Sequence, residues 1–181
     1  MPRTLYDKLQ VIIRTCDEKS GLTADELAEE VRRGKPDEFK IFSRVGGQKV
    51  TAYSQPATIK QSIRLLVDLK LIDSMKQCKL TADGRRALVE YDDAIEQAVL
   101  NYFDSAHGLQ FNLIREEIRQ IKSSATEDVP TARNIYAGLQ QRAVFAKPIS
   151  EERFIRLLNL LGQCGLIDPN FRKFYWLSEL Q

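Results

Sequence analysis

The chain has 181 residues, 43% hydrophobic and 29% charged, with a formal net charge of +2. That length fits one or two domains, because domains commonly hold roughly 100–200 residues and small helical modules fewer. No apolar run reaches the roughly 18 residues of a membrane span, and the opening MPRTLYDK lacks the apolar core of a secretory signal, so a cytoplasmic protein without membrane contact is expected.

Leu5, Leu9, Ile12 and Ile13 recur at helical spacing and predict a first helix over residues 4–18, closed by Lys19-Ser20-Gly21. Thr23-Ala24-Asp25-Glu26 is a capping box, in which the hydroxyl accepts from the third helical amide while the glutamate reaches back. It opens a second helix that turns Leu27, Ala28 and Val31 inward and ends near Arg33. Residues 40–45 and 49–53 flank Gly46-Gly47, the pattern of a β-hairpin. This hairpin is either an insertion without a role or, through Lys40, Arg44 and Lys49, an arm that contacts phosphates. Pro56 suits the first turn of a third helix. There Ile59, Ile63, Leu66, Val67 and Leu69 gather on one side and Ala57, Lys60, Gln61, Arg64 and Asp68 on the other. Leu71-Ile72-Asp73 and Lys79-Leu80-Thr81 read as two short strands joined by a turn, with Thr81 capping the next helix and Asp83 in its first turn, where the helix dipole favours an acid.

Helix, hairpin and helix in that order, with the phrase LID…KLTADGRRAL, resembles the recognition helix, wing and following helix of bacterial and archaeal winged-helix regulators. The resemblance implies a helix that enters the major groove of DNA, with Gln61 and Arg64 nearest the base edges and Thr58 and Lys60 placed for the backbone. Lys76 and Lys79 in the wing, with Arg85 and Arg86 at the next helix start, would engage flanking phosphates.

Leu88, Tyr91, Ile95, Val99 and Tyr102 or Phe103 continue at three- and four-residue steps, predicting one helix over residues 82–104, ended by 105–108. Its outer Glu90, Asp92, Asp93 and Glu96 disfavour nucleic acid, and His107, just before Gly108, reads as a favourable charge at a helix C-terminus. Leu113, Ile114, Ile118 and Ile121 mark a helix over 111–122. Ile135, Tyr136 and Leu139 mark another from Pro130-Thr131 through Gln141, and residues 148–152 open the last.

That last helix repeats the third. A shift of 95 residues lays residues 64–73 over 159–168 without a gap. Leu65, Leu66, Leu71, Ile72 and Asp73 then meet identical residues, and Ile59, Ile63 and Leu69 meet Phe154, Leu158 and Cys164. A second helix-plus-wing is expected, its wing running from Asp168 to Leu177 with residues 168–171 turning. Arg156 on the helix and Arg172 and Lys173 in the wing are its candidate contacts, and Trp176 reads as core.

Charge is distributed unevenly. Residues 35–86 carry eleven Lys or Arg against five Asp or Glu, a net of +6, while residues 87–130 carry three against nine, a net of −6. A polyanion is drawn to the former and repelled from the latter. Chemistry is less in view. Cys16, Cys78 and Cys164, with the single His107, supply neither a disulfide framework nor a zinc signature. Cys16 and Cys164 read as small core residues, and Cys78 is the candidate for an exposed thiol. Pro36-Asp37-Glu38-Phe39-Lys40 superficially matches the PD-(D/E)xK nucleases, but that family carries its carboxylates and lysine on separate strands. Gly46-Gly47-Gln48-Lys49 lacks the spacing of a phosphate-binding loop.

The expected protein is therefore mainly α with short β-hairpins (α+β): tandem winged-helix modules over 1–90 and 91–181, joined by a long shared helix. No enzyme activity, metal or cofactor is expected. The partner is double-stranded DNA, in transcription regulation or another nucleoid-associated role, with a protein partner or a homodimer allowed through the second module or central helix. The alternative is a winged-helix scaffold that binds protein, similar to the accessory subunits of condensin-type complexes.

Overall fold

The computed structural model describes residues 5–45, 48–123, 130–170 and 174–177, those over 42–50 and 168–177 through their backbone alone. Among the described residues, eight α-helices and two antiparallel hairpins make a mainly α, α+β chain, compatible with a winged-helix arrangement. None of the described helices is long and apolar enough to cross a membrane. The chain divides into two compact units, Met1–Tyr91 and Asp92–Gln181.

In the first unit α1 (Leu5–Glu18), α2 (Ala24–Arg33) and α3 (Pro56–Asp68) pack on one another. Leu9, Ile12, Ile13, Leu27, Ile59, Ile63 and Leu66 are closed off from solvent, each worth about 1.5–3 kcal/mol over exposure. The capping box forms as the sequence predicts: Glu26 N–H donates to Thr23 Oγ1 at 3.3 Å, and Thr23 N–H donates to Glu26 Oε2 at 2.8 Å. Between α2 and α3 stand β1 (Lys40–Val45) and β2 (Gln48–Tyr53), paired from Lys40↔Tyr53 to Val45↔Gln48; Gly46-Gly47 lies outside the described residues. Buried Phe39 and the Ser54 N–H to Phe39 carbonyl bond of 2.9 Å fasten this hairpin at its base.

Three expectations change here. The first wing is not a pair of strands but single bridges, Ile72↔Leu80 and Leu22↔Cys78. Asp73 Oδ1 accepts from both Ser74 N–H (2.6 Å) and Lys79 N–H (3.0 Å), so side-chain bonds replace a longer ladder. Cys78 is buried rather than exposed, because that second bridge draws the wing against the chain before α2. The single helix over 82–104 is two helices, α4 (Ala82–Arg86) and α5 (Tyr91–His107). Leu88 and Val89 between them are exposed, Val89 to 86%, so the apolar spacing there does not mark one continuous inward face. Asp92 and Asp93 sit in the first turn of α5, where acids belong at a helix start. Tyr91, its first residue, donates from its hydroxyl to the Tyr6 carbonyl at 2.7 Å.

The second unit continues with α5, α6 (Phe111–Ser123), α7 (Ala132–Gln141), α8 (Glu151–Gln163) and the hairpin of β3 (Ile167–Asn170) and β4 (Phe174–Leu177). Thr131 and Ser150 cap α7 and α8. Residues 168–170 thus lie in a strand and not in a turn, since Asp168 pairs with Trp176 and Asn170 with Phe174. The expected core role of Trp176 falls outside the described side chains.

The two units match locally. α3 and α8 are both 13 residues long, and each ends in a left-handed residue, Lys70 (φ 59°) and Gly165 (φ 87°). After it, Leu71 N–H donates to Leu66 O at 2.9 Å and Leu166 N–H to Leu161 O at 3.2 Å. The same side-chain pattern is followed by the same backbone exit.

Candidate nucleic-acid interface

At 3.6 residues per turn, the stripe Ile59, Ile63 and Leu66 that buries α3 leaves Thr58, Gln61 and Arg64 in an exposed i, i+3 row. Gln61 and Arg64 have no hydrogen-bond or ion-pair partner among the described residues. Lys60 differs: its Nζ lies 2.7 Å from both carboxylate oxygens of Asp25 on α2. Both side chains are partly exposed, 39% and 75%, so the pair adds at most about 1 kcal/mol. It also answers the lysine's charge within the chain.

The wing after α3 is a tight polar loop. Besides the Asp73 bonds, Gln77 N–H donates to Ser74 Oγ at 3.2 Å, and the Met75 carbonyl accepts the Ala24 N–H at 2.9 Å, tying the loop to the start of α2. Lys76 and Lys79 stand exposed on it, without a side-chain partner among the described residues. Thr81 caps α4 through the Gly84 N–H at 3.0 Å. Arg85 and Arg86 turn to internal bonds: Arg85 Nη1 donates to the Leu80 carbonyl at 3.0 Å, and Arg86 Nε lies 3.8 Å from Glu90 Oε2.

Of the remaining candidates, Arg44 and Lys49 are cross-strand partners in the β1–β2 register. Arg156 on α8 is paired with Glu152 at 2.5 Å, and Arg172 and Lys173 lie outside the described residues. The structure therefore brings Thr58, Gln61, Arg64, Lys76 and Lys79 into the first unit as exposed groups, and ties Lys60, Arg85, Arg86 and Arg156 into local bonds.

Several features escaped the sequence reading. An open cleft of about 430 Å³ is lined by Glu29, Arg32, Arg33, Lys35, Tyr53 and Gln55 among others. Its sequence signal, the basic run after Val31, marks only the end of α2 in the helical pattern. Glu117 on α6 is 5% exposed, accepts from Arg142 Nη1 at 3.1 Å and lies against Gly138. Glu116 takes the other arm of the guanidinium at 3.3 Å, and these two carboxylates raise the Arg142 pKa. His107 ends α5, but its Nδ1 lies 3.0 Å from the Lys147 carbonyl, so the ring reaches across the unit and not back along its own helix.

Burial, the first cause in each case, lifts Cys16 and Cys164 to about 12 and Cys78 to about 11, with nearby carboxylates adding to it. These thiols are poor nucleophiles near neutral pH. Among the described residues, no group of three or more His, Cys, Asp or Glu is placed to hold a metal ion. No protein-family model matches the chain, and neither a curated protein nor a solved structure does.

Proposed function

We propose that the chain is a DNA-binding protein of two winged-helix modules, a transcriptional regulator or DNA-associated factor, in which α3 enters the major groove of a duplex. The observation that carries this reading is the exposed row Thr58, Gln61 and Arg64 on a helix whose opposite side is buried, followed directly by a wing carrying Lys76 and Lys79. Arginine suits guanine and glutamine suits adenine, each bidentate contact discriminating by about 1–3 kcal/mol. The wing lysines supply register and affinity through phosphates. The tandem organisation is supported by the shared length, cap and left-handed exit of α3 and α8.

The test is duplex binding measured against salt. A phosphate-driven interaction loses affinity steeply, with a log-log slope near −0.9 per neutralised phosphate. Replacing Lys76 and Lys79 by Ala should make the slope shallower by about 2 while leaving sequence preference alone; Gln61→Ala with Arg64→Ala should flatten that preference. The second reading, a protein-binding scaffold, is favoured by one observation: Lys60, Arg86 and Arg156 already pair with carboxylates of this chain. Absence of duplex binding at low salt would select it.

A further inference from the structure

We propose that the cleft between the end of α2 and the base of β2 seats a phosphodiester of the same duplex, extending the footprint beyond the start of α3. The inference rests on the DNA-binding reading above. Three cations, Arg32, Arg33 and Lys35, line the cleft against one carboxylate, Glu29, with Tyr53 and Gln55 completing it. The cations are weakly held. Arg32 lies 4.0 Å from Glu29 with both side chains about half exposed, 43% and 55%. Arg33 pairs with Glu30 while remaining 73% exposed. Lys35 has no ion pair among the described residues.

Exposed helical pairs of this kind contribute little, whereas a guanidinium meets a phosphate through shorter, charge-assisted and commonly bidentate bonds. Exchanging the internal carboxylate for a phosphate therefore costs little. Lys35 has φ 46°, a left-handed backbone that glycine adopts with less strain. An ammonium group stands there all the same, lining the cleft. The cleft is open, which suits a strand running past it better than a small molecule enclosed on most sides.

Its position also fits one continuous footprint. Gln55, on the cleft wall, accepts the Thr58 N–H at 2.9 Å, so the cleft adjoins the first turn of α3, where the exposed row begins. A backbone following the groove contacted by Gln61 and Arg64 meets the cleft at that end.

The test is a salt titration of duplex binding for the full chain and for the double variant Arg32→Ala, Lys35→Gly. Alanine is a strong helix former and glycine accepts the left-handed backbone, so the variant retains the fold, as circular dichroism will check. The expected result is a slope shallower by about 0.9, the one phosphate the cleft neutralises, and an affinity lower by about tenfold at ~0.1 M salt, with sequence preference unchanged. A folded variant with the wild-type slope overturns the inference. If it keeps that slope while Lys76→Ala with Lys79→Ala loses affinity, the cleft alone is rejected and the DNA reading stands. If the wild-type chain binds no duplex at low salt, both fall.

Discussion

Replacing Gly84 by alanine tests how α4 is seated on the wing. Gly84 is buried in this five-residue helix, and a Cβ there would overlap the Leu71 carbonyl oxygen. That carbonyl is held: it accepts the Thr81 N–H at 3.1 Å, and the Thr81 hydroxyl beside it donates to the Lys70 carbonyl at 2.7 Å and accepts from Gly84 N–H at 3.0 Å. Helix propensity alone makes Gly→Ala favourable by about 1 kcal/mol. Overpacking costs about 1–3 kcal/mol, and the disturbed hydrogen bonds about 1 kcal/mol each. With two such bonds disturbed, the net expectation is a loss of about 2–4 kcal/mol, or roughly 10–30 °C in Tm for a unit of this size. Gly34 is the internal control, since it has φ −64° and no atom closer than 3.6 Å to an added Cβ. Gly34→Ala should therefore stabilise by about 0.4–1 kcal/mol. Urea unfolding followed by far-ultraviolet circular dichroism measures both. A Gly84→Ala protein as stable as the wild type, or more so, would refute the seating argument.

The left-handed exits of the two matching helices predict opposite responses: Lys70→Gly should raise the melting temperature by relieving strain at φ 59°, and Gly165→Ala should lower it by forcing a side chain to φ 87°. Thermal melts that move in the same direction for both would contradict the shared cap. The Cys16 thiol, raised from 9.0 to about 12 by burial, is kept protonated by folding. Its contribution to stability is therefore fully present below about pH 9 and lost as pH rises toward the folded value. The urea midpoint should fall over that window less steeply in Cys16→Ala than in wild type, and rapid alkylation of Cys16 in the native protein near pH 8 would contradict its burial.

Much of the fold was legible because its signals are local. Thr23 with Glu26, Thr81, Thr131 and Ser150 each cap a helix through a bond spanning three residues, so the motif and its consequence lie in one window of sequence. The repeat reads equally well: a leucine-rich stretch ending in the same LID marks α3 and α8 and the backbone turn that follows each. The failures have non-local causes. Leu88 keeps the spacing that Ile95 and Val99 share, yet it is exposed, and nothing in a window around it reports the Tyr91 hydroxyl's bond to Tyr6. Cys78 sits in a polar loop and is buried only because Leu22 pairs with it. Glu117 occupies an inward helical position that a carboxylate would ordinarily avoid. It is tolerated because Arg142 reaches it and Gly138, without a side chain, leaves it room.

The same division governs the interface. Helical periodicity puts Lys60 and Arg64 on the same outer side of α3, the one expected at the phosphate backbone and the other at base edges, and in sequence both are equally available. Only the fold separates them, by bringing Asp25 of α2 to one and leaving the other without a partner among the described residues. Charge counted over residues 35–86 therefore overstates what a polyanion would meet. Lys40 pairs with Asp37, Lys60 with Asp25 and Arg86 with Glu90, while Arg85 is bonded to the Leu80 carbonyl. Counterion release follows the phosphates neutralised and not the cations present. The salt dependence of duplex binding should thus report the wing lysines, Arg64 and the cleft at the end of α2, and it should be far shallower than one phosphate for each basic residue in the segment would give.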